Sequence, residues 1–432
     1  MKRLSVFQVI LLASFGAIAI AAVLIFAFAV GGGSTSTTGA VRIWGTLDET
    51  AFTTVIRQAA ENNPNLSQVT YEQQDPETYD KRLTDALASG QGPDLFLFRQ
   101  DNAFSDASKV IPIPFTSLTE SQFSSAFVDA ASPFISQSGV LAIPLLVDPL
   151  VLYWNKDTLS TAGYAKPPQF WDELYKIAGD ITKKTDAGTI QKSALPFGEY
   201  RNVNGAKAIL STLILQAGGN ITTRDTAGNL VSAISPRTGE TAQSTANALR
   251  FYTEFADPSK PHYTWNRALP EARKSFAAGD LALYIGNASE EPLIRRMNPN
   301  LNFSVSAVPQ IRGAARAVVT GYVYGLAVPR TSSNPSGAAI VAFDLAGAEM
   351  SRALSTALGI PSVRRDVLSM PAEGNDVIYN RQAIITRSWV DPDPEKTEVI
   401  FRDMIESTVS GAALVTEAVQ RADQEMAAML GQ

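Results

Sequence analysis

The stretch from Val41 to Phe98 constrains this chain most. Val41-Arg42-Ile43-Trp44 alternates as a strand. From about Asp48 to Asn62, Phe52, Val55, Ile56 and Ala59 recur at helical spacing, and Asn63-Pro64-Asn65 ends that helix. Val69-Thr70-Tyr71 predicts a second strand, and Tyr79, Leu83, Ala86 and Leu87 a second helix ending at Ser89-Gly90. Asp94-Leu95-Phe96-Leu97-Phe98 reads as a buried third strand. This alternation predicts an α/β fold, because parallel neighbours in a sheet need a crossover, usually a helix, between them. Such sheets present ligands outside the carboxyl ends of their strands. The residues just past those ends are therefore candidates: Thr46, Asp48, Arg99, Gln100 and Asn102.

The remaining 374 residues of the 432 extend or precede this pattern, enough for two lobes and an anchor. Helices are expected at about Gly205–Ala217, Thr241–Phe255 and Ala268–Ala278. Strands are expected at Leu281–Ile285, Phe303–Val305 and Gly325–Val328, with mainly helix after Ser336.

Ahead of the sheet, Lys2 and Arg3 precede an apolar run from Val9 to Val30. At 1.5 Å per residue its length spans roughly 33 Å, enough to cross a bilayer core and longer than the apolar stretch of a cleaved signal. Residues 1–30 are expected to form a single retained transmembrane helix, although Ala27-Phe28-Ala29 offers a small-x-small cleavage site. The basic N-terminus stays in the cytoplasm, so the C-terminal domain is extracytoplasmic. Residues 31–40, rich in Gly, Ser and Thr, read as a flexible tether.

Composition closes several routes. The net charge of −6 gives no basic excess for nucleic acid and suits a monomeric ectodomain. With no cysteine there are no disulfides, thiolate metal sites or cysteine nucleophiles. His262 is the only histidine and sits in a Pro261-His262-Tyr263 loop, expected to be solvated, so no metal site and no catalytic triad is expected. No G-x-S-x-G, H-E-x-x-H or phosphate loop occurs, and no carboxylate pair stands out as glycosidase-like. Neither a cofactor nor a catalytic residue is expected.

Ordered markers then carry a resemblance: Gly92-Pro93-Asp94 before a strand, Ala142-Ile143-Pro144 with Asp148, and Leu152-Tyr153-Trp154-Asn155-Lys156-Asp157. They continue with Ala162-Gly163, Pro167-Pro168 and Trp171-Asp172-Glu173-Leu174, then Phe276-Ala277-Ala278-Gly279-Asp280. Last come Gly321 to Pro329, Ile360-Pro361-Ser362 and a C-terminal helix from about Gly411. From Val41 to Gln432 the chain resembles the family 1 extracellular solute-binding proteins of ABC import systems, the maltose-binding-protein-like group. The resemblance implies a two-lobed periplasmic-binding-protein-like fold with a hinge. Lobe I is expected over 41–147 and 286–321, and lobe II over 148–285 and 322–432.

It also implies capture of a small ligand, a sugar, for the membrane subunits of an ABC importer. A sensory or interaction ectodomain of the same fold, or a glycan-active enzyme, are the alternatives. By the same resemblance Asp148 lies where the first crossing passes the cleft, and Trp389 where a tryptophan stacks on a sugar ring. Trp44 and Trp265 are further stacking candidates, while Trp171 is assigned to packing. Arg99 stands where some relatives carry an aromatic and is open to a ligand carboxylate, phosphate or hydroxyl. Asn287 replaces part of a Gly-x-Trp element, which leaves room for a small polar or charged ligand. Tyr322, with Tyr324, flanks a later crossing.

Overall fold

The computed structural model describes residues 38–235, 243–314 and 316–431. The expected transmembrane helix at 1–30 and most of the tether at 31–40 lie outside these residues. Among the described residues no helix is long and apolar enough to cross a membrane.

Seven strands build the main sheet: β1 (Val41–Gly45), β2 (Val69–Gln73), β3 (Leu95–Arg99), β4 (Ile143–Asn155), β5 (Leu283–Asn287), β6 (Phe303–Ser306) and β7 (Gly321–Ala327). The order is β5-β4-β7-β3-β1-β2, with β6 also on β4. As the alternation predicts, β1 pairs in parallel with both β2 and β3. The helices between them are Glu49–Ala60 and Tyr79–Ala88. The first starts where Asp48 accepts a hydrogen bond from the Ala51 N–H at 2.8 Å, satisfying an amide that the first turn leaves free. Its apolar stripe of Phe52, Val55 and Ile56 is buried against the sheet, with Phe52 stacked on Tyr71 at 4.2 Å.

β4 organises everything else. Twelve of its thirteen residues are buried, Trp154 being the half-buried one. Its first half pairs antiparallel with β7, from Ile143 opposite Leu326 to Pro149 opposite Gly321. Its second half pairs with β5 from Leu150 to Trp154 and with β6 from Leu152 to Asn155. The buried apolar residues divide at the same place. One core contains Val41 to Val147 and Val323 to Leu368; the other contains Leu150 to Val319 and Ile400 to Met426. Two lobes thus share one strand, and the hinge runs through Val147–Leu150.

The lobe boundaries differ from expectation in the return path. Residues 286–321 do not rejoin the first lobe: Ala288, Ile294, Phe303, Val305, Val308 and Val319 belong to the second core. Because β5 and β6 both pair with the distal half of β4, the chain cannot return before them. It returns through β7, so Val323 to Leu368 pack in the first core, not the second. The last crossing is helix Asp376–Ile385, which places Tyr379 in the second core and Ala383 in the first.

Two smaller expectations also shift. The helix predicted from Ala268 begins at Ala272, because Pro270 and Glu271 precede it and proline interrupts the helical hydrogen-bond ladder. His262 is not solvated: its ring packs 4.8 Å from Tyr175 and 5.2 Å from Phe255, and its Nε2 lies 3.3 Å from a Glu254 carboxylate oxygen. Trp171 packs as expected, its indole N–H donating to Gln216 Oε1.

Candidate functional site

The strand crossing sets the geometry of an interlobe cleft. At the end of β3 the chain turns into a short 3-10 helix, Gln100–Asn102, which faces β7. The buried Gln100 side chain grips that strand: its Nε2 donates to the Gly321 carbonyl at 3.3 Å, and its Oε1 accepts from the Val323 N–H at 2.5 Å. From the second lobe, Thr320 Oγ1 donates to the Ala208 carbonyl and lies 2.7 Å from Thr212 Oγ1, so helix Ala206–Gln216 is tied to the same strand.

Two cavities open between the lobes and share Asp80 and Arg99 as lining residues. The larger, about 650 Å³, lies between Thr46, Asp48 and Asn102 of the first lobe and Arg273, Glu290 and Arg296 of the second. The smaller, about 250 Å³, is bounded by Asp80, Arg99 and Asp101 on one side and Lys207, Ser211, Trp389, Asp391 and Glu398 on the other, with Tyr322 between.

Of the expected site residues, Thr46, Asp48, Arg99, Asn102, Tyr322 and Trp389 are brought to this cleft. The Arg99 guanidinium is not free for a ligand anion. It forks onto Asp101, with Nε to Oδ1 at 2.9 Å and Nη2 on Oδ2, and lies 4.5 Å from the Tyr322 ring centroid. Burial opposes its charge, yet Asp101 and Tyr322 hold it well above its ordinary value. Trp389 is half-buried, stacked on Phe401 at 6.2 Å with the Lys207 ammonium 5.4 Å from its ring.

Four expected contacts are placed elsewhere. Trp44 is in the first core, its ring flanked by the Arg42 and Arg82 guanidinium groups at 5.7 and 5.2 Å. Trp265 is 1% exposed in the second core, and its indole N–H is satisfied by Asn202 Oδ1 at 3.0 Å. Asn287 ends β5 and donates to the Asp148 carbonyl at 2.9 Å, so it serves the hinge. Asp148 itself is 2% exposed, and its two oxygens accept from the Ser289 N–H and hydroxyl at 3.0 and 2.6 Å. Its carboxyl braces the turn after β5 and lines neither cavity.

The buried Asp148 has a consequence for pH. Burial pushes its carboxyl from 3.8 up to about 7, against the two Ser289 hydrogen bonds. The folded chain therefore keeps this proton where the unfolded chain has lost it. The favourable contribution is full below about pH 4 and is lost as pH rises through about 7. Asp148→Asn is expected to flatten that slope, removing about 2 kcal/mol of the stability difference between pH 5 and pH 8 in urea titrations. An unchanged slope would refute it.

Several cleft residues were not among the expected contacts. Lys207 is the most telling, as the one charged residue of a largely apolar helix. Its Nζ reaches Asp391 at 2.8 Å, Thr397 Oγ1 at 2.6 Å and Glu398 at 3.7 Å. Burial raises the Asp391 carboxyl above its ordinary range, although Lys207 pulls it down. The signal was present: Lys207 and Ser211 are four apart on one face of a buried helix, a polar stripe that packing alone does not require. Among the described residues no three side chains converge to hold a metal.

A family model described as bacterial extracellular solute-binding protein matches residues 45–346. The chain belongs to that family. Solved structures of similar shape agree with its two-lobed architecture. A solute-binding protein of an ABC transporter from Thermotoga lettingae TMO, bound with alpha-D-tagatose, is 21% identical. The match covers 92% of this chain and 100% of that one at a TM-score of 0.71. The cyclic alpha-maltosyl-1,6-maltose binding protein of Arthrobacter globiformis is 16% identical, covering 90% and 98%, at 0.74. The sugar-binding protein MalE of Xanthomonas citri is 17% identical, covering 91% and 97%, at 0.72. At these identities the likeness is one of fold, so what the solute-binding protein described here takes up rests on its own cleft.

Proposed function

We propose that this solute-binding protein captures a small carbohydrate between its lobes by hinge closure and delivers it unchanged to an ABC importer. One observation carries the reading. Residues of both lobes, among them Asp80 and Arg99 against Lys207 and Trp389, line one cavity beside the strands that join the lobes. Closing such a hinge encloses a ligand on all sides, and the motion needs no more than backbone rotation at a few residues. Polar groups from both lobes suit hydroxyls, and an indole face suits the apolar face of a sugar ring. The sugar ligands named for structurally similar proteins support the same class. The apolar run of residues 9–30 would hold the protein at the cell membrane as a single-pass anchor, with a monomeric binding domain outside the cytoplasm.

Calorimetric titration of the full chain with neutral mono- and oligosaccharides, paired with small-angle scattering, tests this. Binding with a fall in radius of gyration and recovery of intact sugar is expected. A fixed radius, or conversion of the sugar to product, would sink the proposal. Trp389→Ala should weaken binding roughly tenfold, about 1–1.5 kcal/mol, if the indole supplies a stacking face.

A further inference from the structure

The smaller cavity carries a charge pattern that its own side chains do not balance. Five carboxylates and three cationic groups line it. Each cation is already matched: Arg99 by Asp101, Lys207 by Asp391, and Arg387 by Asp129, the last at 2.9 Å. Among the described residues Asp80 of the first lobe and Glu395 of the second have no cation in ion-pair contact. They enter the same cavity from opposite lobes. Each also lies in the first turn of a helix, Tyr79–Ala88 and Pro394–Val409, where the helix field favours the ionised form.

An independent feature lies at the floor of this cavity. Ser211 is 1% exposed, lines the cavity, and its hydroxyl has no hydrogen-bond partner. The Ser388 hydroxyl, beside Trp389, is likewise buried without a partner. A buried hydroxyl left unpaired is costly, and in a binding cavity it marks where a ligand atom completes the bond.

We propose that this cavity selects a sugar bearing a protonated amine, an amino sugar, with Ser211 and Ser388 bonding its hydroxyls and Asp80 and Glu395 facing its ammonium. The inference rests on the carbohydrate-capture reading and adds the ligand's charge. Closing the lobes moves two like charges into one enclosed space, and an ammonium there turns that repulsion into attraction. A uronic acid or a sugar phosphate would add to the repulsion, since among the described residues no unpaired cation lines the cavity to receive it. Burial, with Asp101 and Asp106, holds Asp80 above the usual carboxylate range although Arg99 opposes the shift. Amine capture should therefore weaken as pH falls and Asp80 takes up a proton.

The test titrates the full chain at pH 6 with a glucosamine disaccharide, its N-acetylated counterpart and a glucuronic-acid disaccharide. The amine form is expected to bind at least tenfold more tightly than the acetylated one, with the uronate weakest. Asp80→Asn with Glu395→Gln should bring the first ratio to near one. Ser211→Ala should lower affinity several-fold yet leave the melting temperature of the free protein equal or higher, because the unpaired hydroxyl is gone. Equal binding of all three sugars, or a preference for the uronate, overturns the charge assignment and leaves carbohydrate capture standing. Binding of none of them overturns both.

Discussion

Replacing Asp391 by asparagine is expected to destabilise the protein by about 3 kcal/mol, read as a lowered urea midpoint. Lys207 is only 14% exposed and Asp391 2%, so neither charge has much water to fall back on. Attraction in such a place scarcely exceeds the cost of desolvating both ions, which is why the pair by itself stabilises little. Removing one partner is a different matter, since the ammonium then stays buried with its nearest compensation gone. Thr397 remains at 2.6 Å and Glu398 at 3.7 Å, which holds the loss to the low end of what broken buried pairs show. Adding Lys207→Met to Asp391→Asn should recover most of the stability, because the stranded charge is removed. Ligand affinity should not recover with it, since both residues line the cleft. If the double variant were as unstable as the single one, the buried-charge explanation would be wrong.

Gly321→Ala is expected to be comparably damaging, for a steric reason. Gly321 lies opposite Pro149 where β4 passes from one lobe to the other. A methyl group there would come 2.6 Å from the Asp148 carbonyl oxygen and 2.7 Å from Pro149 Cα. Both are backbone atoms, so no rotamer change makes room and the strands must part. Overpacking of this kind costs typically 1–3 kcal/mol and sometimes more, and the hinge position puts this case at about 3. The expected readings are a lower melting temperature and an altered radius of gyration without ligand. Gly179→Ala is the control: it lies in helix Glu173–Ile181, is exposed, and has open space around the added carbon. It should stabilise slightly, as alanine does in a helix. Matching behaviour of the two variants would remove the crossing from the argument.

What was legible in the sequence was local. The elements from β1 to β3 announce themselves because alternation, helical spacing and the Asn63-Pro64-Asn65 stop all act over a few residues. Leu283–Asn287 and Phe303–Ser306 were also recognisable as strands, but their partner was not. Pairing with the second half of β4 is a choice between distant segments, and it decides that residues 286–321 stay in the second lobe. The tryptophans make the same point about faces. Trp44, Trp265 and Trp389 are chemically alike, yet two are buried in separate cores and one borders the cleft. Asp148 reads from the resemblance as a cleft contact, because nothing in its local sequence reveals that Ser289, 141 positions on, takes both its oxygens.

The placement of β7 has a consequence for how the chain comes to be folded. This strand fills the slot between β3 and β4, yet the Gln100–Val323 bond that seats it joins residues 223 positions apart. The first lobe is begun at Val41 and remains a split sheet with two raw edges until the second-lobe stretch from Leu150 to Val319 has been made. Assembly that depends on so distant a pairing is slow and leaves strand edges open to wrong partners. The half of the molecule that starts first must therefore wait on most of the other before its sheet can close.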